Sequence, residues 1–314
     1  MDDDLYTMSR KPDVSIENVF IPINIKERMK KSVILPFKSS EIKEAAENVG
    51  HVILYGEPGT GKTLLTYAIA TELKHVTCFS LSFYELKNDG DVRNLLSQAR
   101  LKRPVIIFLD DVEVLSVTET DQGKRIASEF LLQLQGSPNN STEDILVVGM
   151  TNKPWKLNSA VLNCFPIRIE IPLPDDMERF DIFKYQLKGV DIDLSDKEFQ
   201  EIVKRTHGFT GADIVVLVRD ALLQPVRLIQ RATHYVKVQE TTSDNQQTAG
   251  EKWTPCSPET PGAVAMTWSE LKEDQIFLPK LKMDDFLKSL STTKPSTDDK
   301  YHDAIAKFTK DFGN

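Results

Sequence analysis

The sequence holds only three cysteines in 314 residues, Cys78, Cys164 and Cys256. They are too few and too scattered for a disulfide framework or a zinc site, which fits a reducing compartment. Basic charge is not in excess either: 39 Lys and Arg stand against 47 Asp and Glu, a formal net charge of -8. Sequence-independent binding to a polyphosphate backbone is therefore disfavoured, and no nucleic-acid partner is expected. No apolar run approaches the ~20 residues of a membrane span, and the start, Met1-Asp2-Asp3-Asp4, is acidic where a secretory leader would be basic and then apolar. No internal repeat is present. These absences point to a cytoplasmic protein, peripheral to membranes at most.

What is there is a chain of 40% hydrophobic and 27% charged residues, long enough for two domains with their own cores. Through the first half, short β-branched or aromatic runs alternate with longer amphipathic stretches, the pattern of α/β units around a parallel sheet. Strands are expected at His51 to Tyr55, Val76 to Ser82, Pro104 to Asp110, Ile145 to Met150 and Ile167 to Ile171. Helices are expected at Gly61 to Leu73, at Asp91 to Leu101 with Asp91 as cap, and at Gly123 to Leu134, the last ended by the turn cluster Gly136 to Asn140. Pro172-Leu173-Pro174-Asp175 breaks the alternation, and helical patterns follow at Met177 to Leu187, Asp196 to Arg205 and Gly211 to Val236. Residues 239–262 are rich in Thr, Ser, Pro, Gly, Asn and Gln and read as turns or a mobile connection. Two final helices are expected at Met283 to Leu290 and Lys300 to Phe312.

Gly56-Glu57-Pro58-Gly59-Thr60-Gly61-Lys62-Thr63 has the form G-x-x-x-x-G-K-[ST]. Glycines let backbone N–H groups turn inward on phosphates at a helix N-terminus, where the helix dipole also favours anions. The four constrained positions arise by chance in roughly 1% of chains of this length. An apolar strand enters the loop and a helical run beginning Leu64-Leu65 leaves it, the context the motif requires. Lys62 would reach the β and γ phosphates of ATP, and Thr63 would ligate Mg²⁺. The backbone of Glu57 to Leu64 forms the cradle. Val105 to Leu109 is a second apolar run, and it delivers Asp110 and Asp111 at its C-terminal end, the edge where open parallel sheets bind ligands. Asp110 would hold Mg²⁺ through water, and Asp111 would orient or deprotonate the attacking water. Taken alone, that run reads more simply as a core strand ending in an acidic turn. A third strand ends at Thr151-Asn152, where an amide can contact the γ phosphate and the water, although Asn is also a common turn former.

These strings resemble the AAA ATPases of the meiotic clade, in the branch that disassembles ESCRT-III polymers. The resemblance is carried by the P-loop, by Thr151-Asn152-Lys153-Pro154-Trp155, by Ile169 to Asp175, and by Thr206-His207-Gly208-Phe209-Thr210-Gly211-Ala212-Asp213 with Val218 to Arg227. Thr254 to Pro258, Ala265 to Trp268 and Phe308 to Gly313 separate this branch from its katanin and spastin relatives. The resemblance implies a large α/β P-loop domain with a central parallel sheet over residues 1–173. It implies a small helical domain over 174–237, joined with 283–314, which carries the C-terminal helix, and a β insertion at 238–282. In such proteins the insertion binds an activator protein, the final helix packs on the large domain, and subunits form rings, usually hexameric. Val19, Gly208 and Ala212 match positions that frame adenine and ribose. The helical domain that family members carry ahead of the ATPase region, and use to recognise ESCRT-III tails, is absent from this sequence. Action on endosomal membranes is implied for the cytoplasmic protein.

Three other departures bear on turnover. Asp111 stands where the family has Glu, setting the carboxylate roughly 1 Å back, and misplacement on that scale can cost about 10²-fold. The family's consecutive arginines, which reach a neighbouring subunit's γ phosphate, are replaced by Asn163 and Cys164, with Arg168 matching a strand-edge arginine instead. Such fingers are worth about 10³ to 10⁵ in turnover. After Glu85-Leu86-Lys87 the chain is shorter than the family pattern, Asn88-Asp89-Gly90 reads as a tight turn where a pore loop would stand, and Phe83 and Tyr84 read as packing residues. Trp155 and Trp268 read as core anchors. Two functions remain open: an ATPase of the ESCRT-III-disassembling type, slow by itself, or a nucleotide-binding paralogue that joins mixed rings or sequesters partners. A P-loop chaperone or clamp-loader component is the weaker third.

Overall fold

The computed structural model describes residues 8, 13–38, 50–117, 119–135, 145–239 and 251–313. Five strands, β1 (Val52–Tyr55), β2 (Thr77–Ser82), β3 (Val105–Asp110), β4 (Ile145–Thr151) and β5 (Ile167–Glu170), form one parallel sheet in the order β2-β3-β4-β1-β5. The apolar runs form strands because both sheet faces are covered, so each residue meets a core whichever way it points. Alternation sorts the two faces. Ile53, Tyr55, Ile107, Leu109 and Val147 enter one core, while Val52, Leu54, Ile106, Phe108, Leu146 and Val148 enter the other.

The second of these cores is closed by α1 (Ile23–Met29) and α2 (Lys62–Glu72), whose buried residues include Met29, Leu65 and Ile69. The first is closed by α3 (Asp89–Leu101), α4 (Asp121–Gln135) and, from the far end of the chain, Ile305 and Phe308 of the C-terminal helix (Asp299–Phe312). Phe308 meets the Tyr55 ring edge-on at 5.1 Å, and the Thr309 hydroxyl accepts from Tyr55 Oη and donates to Glu170.

Contacts divide the chain into two units, residues 1–178 with 208–212 and 295–314, and residues 179–207 with 213–294. The sequence reading placed 283–314 with the small helical domain; by contacts 295–314 joins the sheet-bearing unit, because Ile305 and Phe308 complete its core. The second unit contains α5 (Asp176–Gln186, from Arg179 onward), α6 (Asp196–Arg205), most of α7 (Gly211–Arg231) and α8 (Met283–Thr292). Phe183 is its aromatic centre, meeting Phe199 and Phe286 edge-on. Short strands β6 (Ile192–Asp193) and β10 (Leu281–Lys282) pair in parallel, and β7 (His234–Gln239) pairs antiparallel with both β8 (Glu251–Pro255) and β9 (Val264–Ala265). The C-terminal helix is α9.

Several local expectations change. α7 stops at Arg231 rather than near Val236, because His234 to Gln239, rich in β-branched and aromatic residues, pairs across the small sheet instead. Asn88, not Asp91, caps α3: its side chain accepts from Asp91 N–H at 3.1 Å while Asp91 accepts back from Asn88 N–H, a reciprocal capping box. Asn88-Asp89-Gly90 is thus a helix start and not a tight turn. Phe83 is buried as expected, but Tyr84 is 73% exposed, and Trp155 and Trp268 are too exposed to anchor a core. The turn cluster at Gly136 to Asn140, and residues 240–250 of the Ser- and Thr-rich stretch, lie outside the described residues.

Two outcomes follow from this packing. Phe130 is fully buried and meets Phe83 edge-on at 6.4 Å, so Phe130→Ala is expected to cost about 3–5 kcal/mol in urea or guanidinium unfolding. Burial lowers the pKa of His51 from 6.5 to about 4, and its Nδ1 accepts from Val147 N–H at 3.2 Å. The unfolded chain therefore takes up the proton first as pH falls. Stability is complete above about pH 6.5 and is lost progressively towards pH 4. His51→Asn should flatten this part of the profile, measured as denaturation midpoint against pH.

Candidate nucleotide site

β4 lies between β1 and β3, so the loops leaving the C-terminal ends of β1, β3 and β4 open on one edge of the sheet. The first is the glycine loop. The chain leaves β1 at Gly56 with φ +150°, where a Cβ would stand 2.2 Å from the Ile171 carbonyl oxygen, so no other residue can make this exit unstrained. Gly59 and Gly61 also have positive φ, at +84° and +100°. Gly61 then starts α2, whose first residues are Lys62, Thr63 and Leu64. The Thr60 hydroxyl donates to the Glu57 carbonyl at 2.9 Å and holds the loop's curvature, while Pro58 and Gly59 are exposed.

Lys62 is only 6% exposed. Its Nζ donates to the carbonyls of Gly56 at 3.0 Å and Glu57 at 2.7 Å, which folds the ammonium back under the loop. Burial lowers its pKa to about 8, against the opposing pull of Asp110, Glu113 and Glu57. Thr63 and Leu64, the next two residues of the helix, are exposed. Ala212 touches the loop directly: its N–H donates to the Gly59 carbonyl at 3.2 Å, and Gly208, at φ +79°, belongs to the same short segment. Val19 is buried in the core that also contains Leu65, and the Ile16–Asn18 turn beside it packs on α2.

The second loop carries the acidic pair. Asp110 ends β3 and accepts from Asp111 N–H at 2.9 Å; burial raises its pKa, with the neighbouring Asp111 charge adding to the effect and the backbone bond and Lys62 opposing it. Asp111 has φ +57°, a left-handed backbone uncommon outside glycine, and its carboxylate accepts from the Ser82 hydroxyl at 2.8 Å. Two residues on is a group that the sequence reading missed. Glu113 is 9% exposed, accepts from the Thr151 hydroxyl at 2.6 Å, and acts electrostatically on Lys62. The signal was present in the string Asp110-Asp111-Val112-Glu113, where Val112 is buried and its acidic neighbours flank it. Asn152, just after β4, is half-buried, and its carbonyl accepts from Tyr301 Oη.

The fold thus assembles Lys62, Asp110, Asp111 and Asn152 at one edge, with Thr63, Leu64 and Ala212 beside the loop. A loop without side chains at its three sharpest points, running into a helix N-terminus with a buried lysine, suits a polyphosphate. Arg168 is committed elsewhere: its guanidinium donates to the carbonyls of Phe165 at 3.2 Å, Leu162 at 2.9 Å and Phe312 at 3.0 Å. Asn163 is exposed, whereas Cys164 is buried. At the point where the family pattern has a pore loop, Lys87 N–H donates to Asp91 Oδ2 at 2.8 Å as part of the α3 start.

Comparisons with known proteins agree in sequence and in fold. The profile of the ATPase family associated with various cellular activities (AAA) matches residues 52–173, that of the AAA+ lid domain 196–234, and that of the Vps4 C terminal oligomerisation domain 253–313. The chain is 39% identical over 315 residues to mouse vacuolar protein sorting-associated protein 4B, covering 96% of this chain and 71% of that protein. Against human vacuolar protein sorting-associated protein 4A the identity is 38%, covering 96% and 72%. The crystal structure of the FIGL-1 AAA domain superposes with a TM-score of 0.77 at 27% identity, covering 99% of this chain and 94% of that one.

Gly59 supplies a direct test of the loop. A Cβ there would stand 2.7 Å from Thr210 Oγ1 and 2.9 Å from the Ala212 Cβ at a φ that side chains rarely adopt. Gly59→Ala is expected to weaken a fluorescent ATP analogue by about tenfold or more with far-UV circular dichroism unchanged.

Proposed function

The chain belongs to the AAA ATPases of the Vps4 type, and from that membership we propose that it is a Mg²⁺-dependent, ATP-binding ring subunit whose own turnover is slow in a homogeneous assembly. The observation that carries this reading is an intact phosphate loop in a chain whose Arg168 is held by three carbonyls and which has Asn163 and Cys164 at the positions matching the family's finger arginines. Gly56 to Leu64 cradle the phosphates, and Lys62 moves from the loop carbonyls to the β and γ oxygens. Val19, Gly208 and Ala212 frame the nucleoside. Thr63 and Asp110 would hold Mg²⁺, which would supply charge neutralisation on the phosphates. Asp111 and Asn152 orient the attacking water. Asp111 reaches short and is engaged by Ser82, so it is less well placed on the attacking water than a longer glutamate would be.

At the neighbour's site the deficit is larger. A finger must present a guanidinium to charge developing on the γ phosphate. Asn163 has none, and Arg168 is held by three carbonyls of its own unit. The loss of a finger corresponds to roughly 4 to 7 kcal/mol of barrier. In a mixed ring this chain's site fires on a relative's arginines, but the chain does not activate its neighbour. The substrate class is the ESCRT-III filament, with the β7-β8-β9 sheet as the activator-binding insertion and endosomal membranes as the place of action. Among the described residues no helix is long and apolar enough to cross a membrane, which fits peripheral recruitment. The second reading, a non-catalytic regulator that enters mixed rings, is favoured by the same replacement of the finger arginines by Asn163 and Cys164.

Steady-state ATP hydrolysis by the chain alone and titrated with an arginine-bearing relative separates the two. Stimulation supports a competent subunit, inhibition supports a regulator, and fast turnover by the pure chain that Lys62→Ala abolishes contradicts the proposal. Asn163→Arg, at an exposed position that accepts the side chain, is expected to raise turnover by about tenfold or more. It should exceed the gain from Asp111→Glu; the opposite ranking would show that the carboxylate, and not the finger, limits the rate.

A further inference from the structure

A carboxylate in an anion-binding loop opposes the loop's purpose, since it repels the phosphates that the backbone attracts. Glu57 is such a residue. It is 5% exposed, and it acts on the Lys62 ammonium as one of three nearby carboxylates. Its side chain is not left to face the phosphates: both carboxylate oxygens are taken by residues some 240 positions later, Oε2 by the Thr297 hydroxyl and Oε1 by the His302 ring Nδ1. These flank the start of α9, where the Asp298 side chain accepts from Tyr301 N–H at 3.0 Å. A helix N-terminus favours a carboxylate placed against it. The same turn reaches the third loop of the site. Tyr301 Oη donates to the Asn152 carbonyl, its ring meets Trp155 edge-on at 5.0 Å, and burial beside Glu113 and Glu57 pushes its pKa up to about 12, so it stays a neutral donor.

We infer that Thr297 and His302 are positioning residues of the nucleotide site, holding the Glu57 carboxylate on the α9 side of the loop so that its charge does not oppose the phosphates. The inference rests on the proposal that the loop binds ATP. Released from Thr297 and His302, the Glu57 carboxylate is free to turn towards Lys62 and compete with the phosphates for it. The C-terminal helix therefore takes part in nucleotide affinity through one charge, apart from its contribution of Ile305 and Phe308 to the core.

The test uses the full chain and equilibrium titration with a fluorescent ATP analogue. Thr297→Val with His302→Leu is expected to weaken binding by about tenfold, and adding Glu57→Gln to that pair to restore it to within about twofold, because the charge is then gone. Unchanged affinity in the pair overturns the inference. So does a loss that Glu57→Gln fails to rescue, since that is the signature of a helix that is merely misfolded. Thermal unfolding of Glu57→Gln, His302→Leu and the double variant, without nucleotide, reads the contact by itself; additive effects also overturn the inference. Failure of the unaltered chain to bind any nucleotide overturns the functional proposal instead, and the unfolding cycle still decides whether the contact exists.

Discussion

The structure depends on the way the backbone leaves β1. That strand is buried on both faces and hydrogen-bonded on both edges, to β4 and to β5. At its end the Ile171 amide still bonds to the Tyr55 carbonyl, so the chain must turn against the continuing segment with no room for a Cβ at Gly56. Everything that makes the loop an anion site follows from that turn: the exposed arc at Pro58 and Gly59, the curvature held by Thr60, and the entry into α2 with Lys62 beneath it. A rigid sheet supplies the precision, since side chains projecting from the ends of β3 and β4 are located by the register of strands packed at interior density.

Three carboxylates act on Lys62, those of Glu57, Asp110 and Glu113, with Asp111 beside Asp110, and each of the four is handled differently. Asp110 accepts a backbone N–H and is partly desolvated. Asp111 is turned to Ser82 on a left-handed backbone, Glu113 is buried against the Thr151 hydroxyl, and Glu57 is taken by the C-terminal helix. One ammonium cannot balance all of these carboxylates, so hydrogen-bond donors from β2, β4 and the start of α9 share the work.

Much of this was legible beforehand. The five strands of the parallel sheet lie within a residue or so of where apolar runs and turn residues put them, because a strand covered on both faces leaves a continuous apolar signature. The helices that were expected are present, but α1 (Ile23–Met29) was not anticipated, and helix ends were read less well. Asn88 and Asp91 could each serve as a cap, and only the reciprocal bonds assign the roles. The run from Gly211 continued as a helical pattern past Arg231, yet β7 takes its end, since pairing with β8 and β9 is a non-local interaction that no window of local sequence contains. Tyr84, Trp155 and Trp268 were read as core from residue type, and their exposure shows that aromaticity alone does not determine burial.

By itself the sequence determined the sheet-forming segments, the phosphate loop, the acidic strand end and the family, since each is a local string whose chemistry depends on spacing. It also raised the expectation that Asn163 and Cys164 stand in for the family's finger arginines, since residue type alone is read there. Tertiary structure alone decided that Arg168 is occupied by carbonyls, that Glu113 acts electrostatically on Lys62, and that Glu57 is held from the far end of the chain. Those relations join residues separated by up to 245 positions. Their energies depend on distance and burial in space, which periodicity along a chain does not encode.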